Sequence, residues 1–213
     1  MKEDTRVARR PRASDLRDAT QFRLVGELAM DKPAEFIRSH MWKTDPASLA
    51  FYTFLLVSAV LFGWELFVGT YQEGDRVIQL VFGALLSVAL MPIHEAIHWA
   101  VYKWLGAPKV KFVAEWRKGL VYTIADRFVV TGREYMGLAA APVLALSATL
   151  GLAYIALPEF GLVFSGLMCV HAISCIGDIA VINFIRAQDG QPLYAYDDSQ
   201  LRKSYFYVKL DRA

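Results

Sequence analysis

Four long apolar runs between residues 47 and 187 constrain the fold of this chain more than any other feature of its sequence. Each run is close to the roughly 20 residues that a helix needs to cross a bilayer. Hydrophobic residues make up 55% of the 213 residues, more than a soluble globular domain usually carries. The sequence therefore predicts a mostly α-helical membrane protein with four transmembrane helices, at about 46–70, 77–105, 135–157 and 160–185.

The placement of Lys and Arg residues predicts how the chain lies in the membrane. Ten of them precede residue 44, seven lie in 103–133 and five lie from residue 186 onward. Arg76 is the only basic residue between the first two runs, and there is no basic residue between the last two. Because positive charge marks cytoplasmic segments, we expect a multi-pass protein of the cell (inner) membrane with both termini in the cytoplasm.

The segments outside and between the runs predict three parts. Residues 1–46 form a cytoplasmic N-terminal segment, in which apolar positions at helical spacing predict amphipathic helices, either on the inner leaflet or packed on the loops. Residues 47–187 form the membrane domain. Its loop at 106–134 is rich in β-branched and aromatic residues, which predicts a small cytoplasmic insertion of short strands. Residues 188–213 form a cytoplasmic tail that ends in a candidate strand.

The second apolar run contains His94-Glu95-Ala96-Ile97-His98, which matches H-E-x-x-H. Residues four apart lie on one face of a helix, so both histidines can direct a ring nitrogen at one zinc ion. Glu95 would then act as the general base for the hydrolytic water. Two core histidines beside a solvated glutamate are the alternative, but such groups inside a span are costly without a metal or a polar cavity.

A catalytic zinc ion usually has three protein ligands, and Asp178 in the fourth run is the candidate for the third. His94 lies 17 residues past the start of the second run, and Asp178 lies 18 past the start of the fourth. Both runs are predicted to cross in the same direction. At about 1.5 Å per residue, both side chains lie roughly 26 Å from the outer face. Depth therefore predicts that they meet near the cytoplasmic boundary.

Other polar residues within the runs have weaker claims on the site. Asp178 could instead be a structural carboxylate between helices. His171 shares its helix face and could be the third ligand, although we favour a packing or supporting role for it. Glu65, near the outer end of the first run, is expected to snorkel or to pair locally. Pro142 is expected to kink the third helix.

These residues together resemble a known family. The run 92–98, a short strand loop, the Ala-Ala-Pro stretch at 140–142 and His171 with Gly177-Asp178 look like the "Putative zincin peptidase" family. Its members are multi-pass bacterial and archaeal membrane proteins, distantly related to site-2 proteases. The resemblance, over about residues 75–190, implies zinc bound by His94 and His98 with Glu95 as catalytic base. It suggests Asp178 as third ligand, although site-2 proteases carry Asp-Gly here and this chain carries Gly-Asp.

The preferred hypothesis is a zinc metalloprotease that hydrolyses peptide bonds at or near the cytoplasmic membrane face. Its expected partners are the lipid bilayer and a membrane-associated protein or peptide substrate, which could pair with the strands of the loop; no nucleic acid is expected. One alternative is a non-catalytic membrane scaffold or adaptor with a structural metal or a polar cluster. Another is a zinc hydrolase that acts on a lipid-linked substrate. A closed four-ligand site would favour the scaffold.

Overall fold

The computed structural model describes residues 10–41, 45–115, 120–188 and 190–210. Within them the chain is mostly helical, as the apolar runs predict, and it also forms small β-sheets. Helices α1 to α6 are Ala34–Met41, Pro46–Phe67, Glu73–Trp104, Gly132–Ala156, Gly161–Ser174 and Ile176–Arg186. Strands β1 to β6 are Phe22–Ala29, Lys111–Glu115, Leu120–Ile124, Val130–Thr131, Leu193–Asp198 and Lys203–Lys209.

Three of the helices, α2, α3 and α4, are long and apolar enough to cross a membrane. Large apolar side chains on these helices are exposed, among them Leu56, Val60, Phe67, Leu85, Val88, Leu144 and Leu152. Soluble monomers rarely expose apolar patches of more than a few hundred Å². Length, composition and this exposed surface are therefore compatible with a membrane protein of three spans, or of four if α5 and α6 together form one.

The fourth predicted span is broken, which the apolar run at 160–185 does not reveal. Helix α5 ends at Ser174, and α6 begins at Ile176 after a bend of 43°. At the break the Cys175 N–H is shared between the carbonyls of His171 and Ala172, at 3.1 and 3.2 Å. The apolar run continues on both sides of Cys175, so only the backbone shows the bend. Its consequence is that Asp178 lies in the first turn of a separate helix.

The strands form two sheets. A four-stranded antiparallel sheet has the order β1-β6-β5-β4, and β2 pairs with β3 in a separate antiparallel hairpin. The strands predicted in the loop 106–134 and near the end of the tail are thus confirmed. The larger sheet joins three segments of the chain. Strand β1 comes from the N-terminal segment, β4 from the loop, and β5 and β6 from the tail.

The prediction of an amphipathic helix at residues 22–29 is wrong, because this segment is strand β1. It pairs with β6 along its length, from Phe22 opposite Lys209 to Ala29 opposite Lys203. A partner so distant along the chain leaves no trace in the local periodicity that suggested a helix. Gly26 lies at a register shift in this pairing, and a Cβ atom there would lie 2.6 Å from the Phe184 ring.

One amphipathic helix predicted within residues 1–46 is confirmed, and it is α1. Its Phe36 side chain is buried against the rings of Phe184 on α6 and Phe206 on β6, at centroid distances of 5.4 and 6.0 Å. Helix α1 therefore packs on the protein itself, which is the second of the two environments considered for this segment. Together α1, β1, β5 and β6 cover the end of the helical bundle at which the H-E-x-x-H run lies.

Candidate metal centre

Helix α3 presents His94 and His98 on one buried face, as the spacing of four residues predicts. Only 7% of the His94 side chain and 10% of the His98 side chain are exposed. Their Nε2 atoms lie 3.2 Å apart. The helix continues through Pro92, just before the motif. Two imidazole nitrogens therefore converge on one point beside the helix.

Asp178 brings a carboxylate to the same point from α6. Its Oδ2 atom lies 3.1 Å from His94 Nε2, and its Oδ1 atom lies 3.3 Å from His98 Nε2. The structure thus brings together the three residues that were predicted as ligands. They come from two helices, and His94 and Asp178 are 84 positions apart in the sequence. Two nitrogens and a carboxylate are a donor set that zinc commonly uses.

The hydrogen bonds around the cluster test whether these residues fit a cation. His98 Nδ1 lies 3.1 Å from the Leu138 carbonyl, which can only accept, so Nδ1 carries a proton and, in the neutral ring, Nε2 presents a lone pair. That lone pair faces the carboxylate and the second imidazole. Among the described residues, Asp178 Oδ2 and His94 Nδ1 are buried without a hydrogen-bond partner. Converging lone pairs and orphaned buried atoms are costly, and a bound cation would relieve that cost.

Pro142 explains why the Leu138 carbonyl is available to His98. In an α-helix the carbonyl of residue 138 accepts from the N–H of residue 142, and proline has none. Helix α4 continues through Pro142, which is buried at this place. The freed carbonyl turns to His98 instead and orients its ring. Such an outer partner of a ligating histidine is a common feature of metal sites.

Glu95 lies beside the histidines, and one of its carboxylate oxygens is within 4.8 Å of a nitrogen of each. Thr123 of β3 donates a hydrogen bond of 2.9 Å to the Glu95 main-chain carbonyl. The hairpin of β2 and β3 is therefore tied to the motif itself. This contact also holds the Glu95 backbone in place, so that its carboxylate stays near the cluster.

The cluster opens into a cavity of about 310 Å³. Its walls come from α3, β3, α4, α6 and the larger sheet, and its lining includes Met91, Glu95, Tyr102, Thr123, Tyr135, Ala139, Ser174, Asp178 and Asp197. A mostly apolar cavity with a few converging polar groups is the usual form of a small-molecule or substrate site.

His171 occupies a different position from the one that a third ligand would need. It is fully buried on α5, and its ring centroid lies 5.9 Å from that of His94. Asp178 contacts both histidines of the motif, whereas the His171 ring contacts the Cys175 thiol, with Sγ 3.6 Å from either ring nitrogen. The geometry therefore favours Asp178 over His171 as a candidate third ligand.

Sequence reasoning missed a second polar group at the far side of the cavity. The buried Asp197 carboxylate on β5 accepts hydrogen bonds from Tyr102 at 3.0 Å and from Ser204 at 2.7 Å. Burial raises its pKa, against the opposing effect of these hydrogen bonds. Tyr102 lies one helical turn after His98, which was the available signal; the pairing of β5 with β6 that places Asp197 and Ser204 was not visible in the sequence.

The family comparison agrees with the position of this cluster. Residues 87–191 match the model of the family described as "Putative zincin peptidase". No curated protein and no solved structure matches the chain. The matched region contains the H-E-x-x-H run, Glu95 and Asp178, together with Leu138 and Pro142, which orient His98. Residues 87–191 of the chain are therefore similar to the putative zincin peptidase family.

Proposed function

We propose that this protein is a membrane-embedded zinc metallopeptidase that hydrolyses peptide bonds at or near the cytoplasmic membrane face. The observation that carries this proposal is the triangle of His94, His98 and Asp178, whose facing atoms lie 3.1 to 3.3 Å apart. Glu95 adjoins it, and a cavity leads to it. A family of zincin peptidases is the appropriate context for that arrangement.

In the proposed reaction each residue has a separate task. His94, His98 and Asp178 hold the zinc ion, which when bound supplies Lewis acidity for hydrolysis. Glu95 accepts a proton from the attacking water and later delivers it to the leaving amine. The Leu138 carbonyl keeps the His98 ring in the tautomer with a free Nε2 lone pair. The apolar cavity walls limit bulk water around the reacting bond, which strengthens each electrostatic interaction there.

The hairpin of β2 and β3 supports a peptide as the substrate. Within the described part of the chain, β3 pairs with β2 on one edge, and no strand pairs with its other edge. Val121, Tyr122 and Thr123 of β3 line the cavity, and Thr123 contacts the motif. An extended peptide that added to this edge would pass close to Glu95. A spanning substrate would first have to unwind, because the amides of a helix are already paired.

The membrane location follows from the apolar helices and from the distribution of Lys and Arg. Three or four helices are suited to crossing a bilayer, and both termini are proposed to be cytoplasmic because basic residues are concentrated there. Helix α6 ends in Arg186, which bonds to Asp45 at the start of α2, at 3.2 Å. This charged pair is suited to a position at the membrane surface, as is the sheet beyond it.

A scaffold with a structural metal fits the geometry less well. Structural zinc sites are closed by four protein ligands, whereas catalytic sites use three and keep one position open. Here three side chains converge, and Glu95 and the cavity occupy the remaining side. The same arrangement would serve a lipid-linked amide or ester, so the substrate is a matter for experiment.

The test compares membranes that contain the wild-type protein with membranes that contain Glu95→Gln at equal abundance. New protein N-termini are identified by mass spectrometry, and the lipids of the same samples are profiled. We expect new N-termini in the wild-type sample alone. Cleaved lipid-linked products without new N-termini would replace the peptidase by a lipid hydrolase. If the two samples were identical in both analyses, with the protein fully zinc-loaded, the catalytic proposal would be wrong.

A further inference from the structure

A second group of metal-binding side chains lies at the bend between α5 and α6. His94, His171 and Cys175 are all buried, and each offers one possible ligand atom within 4.8 Å of the others. His171 and Cys175 are four residues apart, on one face of the last turn of α5, so helical geometry places them together. The thiol is 3.6 Å from either ring nitrogen of His171. Neither residue has a role in the proposed hydrolysis.

The two nitrogens of His94 have different surroundings. Its Nε2 atom faces His98 and Asp178 at 3.2 and 3.1 Å. Its Nδ1 atom is buried and has no hydrogen-bond partner among the described residues. A buried ring nitrogen without a partner is costly, and histidine ligands normally use their second nitrogen for a hydrogen bond. Since Nε2 belongs to the first cluster, Nδ1 is the atom that His94 can offer to His171 and Cys175.

We propose that His94, His171 and Cys175 form a second metal site, which shares His94 with the first. Two imidazoles and a thiolate suit a borderline or soft cation, Zn²⁺ or Cu⁺, rather than Mg²⁺ or Ca²⁺. Binding replaces the proton of the Cys175 thiol and, because His94 then uses both ring nitrogens, the one proton of its neutral imidazole; both protons are released to solvent. The His94 ring would then bridge two ions, with Nε2 toward the first and Nδ1 toward the second.

The position of this site gives it a structural consequence. Cys175 is the residue at which α5 ends and α6 begins, and Asp178 follows it within the first turn of α6. A metal bound by Cys175 and His94 would therefore join the bend to α3, close to the residue that completes the first site. Occupancy of the second site is expected to restrain both His94 and the α5–α6 bend.

The test is a Co²⁺ titration of the full-length protein in detergent micelles, after metal removal and under reducing conditions. Cobalt bound to a thiolate absorbs in the near ultraviolet, whereas cobalt bound only by His98, His94 and Asp178 does not. We expect this band in the wild-type protein and in Cys169→Ser, which changes the other cysteine of α5. We expect its loss in Cys175→Ser, and at least tenfold weaker binding in His171→Ala, a variant that keeps the thiol.

The outcome is independent of the peptidase proposal. His98→Ala disrupts the first site alone, so it should keep the thiolate band, whether or not the protein hydrolyses peptides. Absence of the band from the wild-type protein would overturn the second site, and so would a band that persists in Cys175→Ser or disappears in Cys169→Ser. Helical circular dichroism identifies any variant that fails to fold, and His171→Ala then decides the question.

Discussion

Two polar clusters lie within the helical bundle, and they differ in how their hydrogen-bonding capacity is used. Near the C-terminal end of α2, the two oxygens of Glu65 accept hydrogen bonds from the hydroxyls of Tyr71 and Tyr154, at 2.5 and 2.7 Å. Gly161 leaves room for this contact, because a Cβ atom there would lie 2.8 Å from the Glu65 carboxyl carbon. Glu65 thus pairs within the protein, as one of the two sequence expectations proposed.

The second cluster, at His94, His98 and Asp178, has the opposite character. Its ligand atoms converge, with Asp178 Oδ2 3.1 Å from His94 Nε2, and His94 Nδ1 is buried without a hydrogen-bond partner in the described part of the chain. A carboxylate that is satisfied by hydroxyl donors has a structural role. One that contacts two imidazoles at the edge of an open cavity is suited to bind a ligand. Satisfaction of hydrogen bonds, rather than burial or charge, therefore distinguishes the candidate site from the structural cluster.

The largest expected effect is on the rate of hydrolysis. It is tested by a glutamate-to-glutamine substitution made once beside the candidate site and once at Glu65. Glu95→Gln removes the proposed general base and should reduce hydrolysis by about 10²- to 10⁴-fold, while zinc binding is retained. Glu65→Gln should leave the rate unchanged, because Glu65 belongs to the satisfied cluster. Turnover of a substrate found in the N-terminus analysis measures both. Equal loss of activity in the two variants would remove the distinction between the clusters.

The next effect concerns Asp178 as a ligand. Asp178→Asn should weaken zinc binding by more than about 100-fold, which exceeds the effect of losing an outer partner. Asp197→Asn is the matched control, since Asp197 is a buried carboxylate that lines the same cavity but is bonded to Tyr102 and Ser204. Competition with a zinc chelator gives both affinities. An unchanged affinity for Asp178→Asn would show that the third ligand is another residue.

A smaller effect should follow from Pro142→Ala. Alanine restores the N–H that bonds to the Leu138 carbonyl within α4, so His98 loses its orienting acceptor, and we expect about tenfold weaker zinc binding. Pro92→Ala is the control, because in the described structure no site histidine bonds to the Val88 carbonyl that Pro92 leaves free. The same chelator assay applies. If the two proline variants bound zinc equally well, the role of Leu138 would be disproved.

The smallest effect is on the stability of the protein, and it comes from the Glu65 cluster. Glu65→Gln places an amide NH₂ where one tyrosine hydroxyl donates, and it should lower the free energy of unfolding by about 1 to 3 kcal/mol. Zinc content should not change. Thermal unfolding in detergent measures this difference in the free energy of unfolding. Gln79→Leu is a second variant for the same measurement, because the Gln79 amide donates a hydrogen bond of 2.8 Å to the Glu159 carbonyl. Zinc loss without a change in stability would mean that the two clusters are coupled.

The proximity of His94, His98 and Asp178 could be predicted from the sequence, because simple helix geometry relates their positions. The spacing of His94 and His98 requires only a helix, and the depth of Asp178 requires only two crossings in the same direction that begin at the same face. The bend at Cys175 changes this estimate of the depth of Asp178 little, because it lies only three residues before Asp178. A hydropathy profile cannot show such a break, because it depends on backbone hydrogen bonds rather than on composition.

Features that depend on distant partners were not predictable. Strand β1 is a strand because β6 pairs with it, and nothing near residues 22–29 encodes that partner. Pro142 was expected to produce a kink, but the sequence did not show that it also frees a carbonyl for a histidine on another helix. The donors that satisfy Asp197 likewise come from α3 and β6. In each case the missing information was a contact across the fold.

The zinc content of the purified full-length protein tests the central claim most directly. Elemental analysis of the wild-type protein and of His98→Ala, prepared in parallel without added chelator, requires no knowledge of the substrate. We predict stoichiometric zinc in the wild-type protein and one equivalent less per chain in His98→Ala. A wild-type protein without stoichiometric zinc, or equal zinc content in the two proteins, would contradict the claim that His94, His98 and Asp178 form a zinc site.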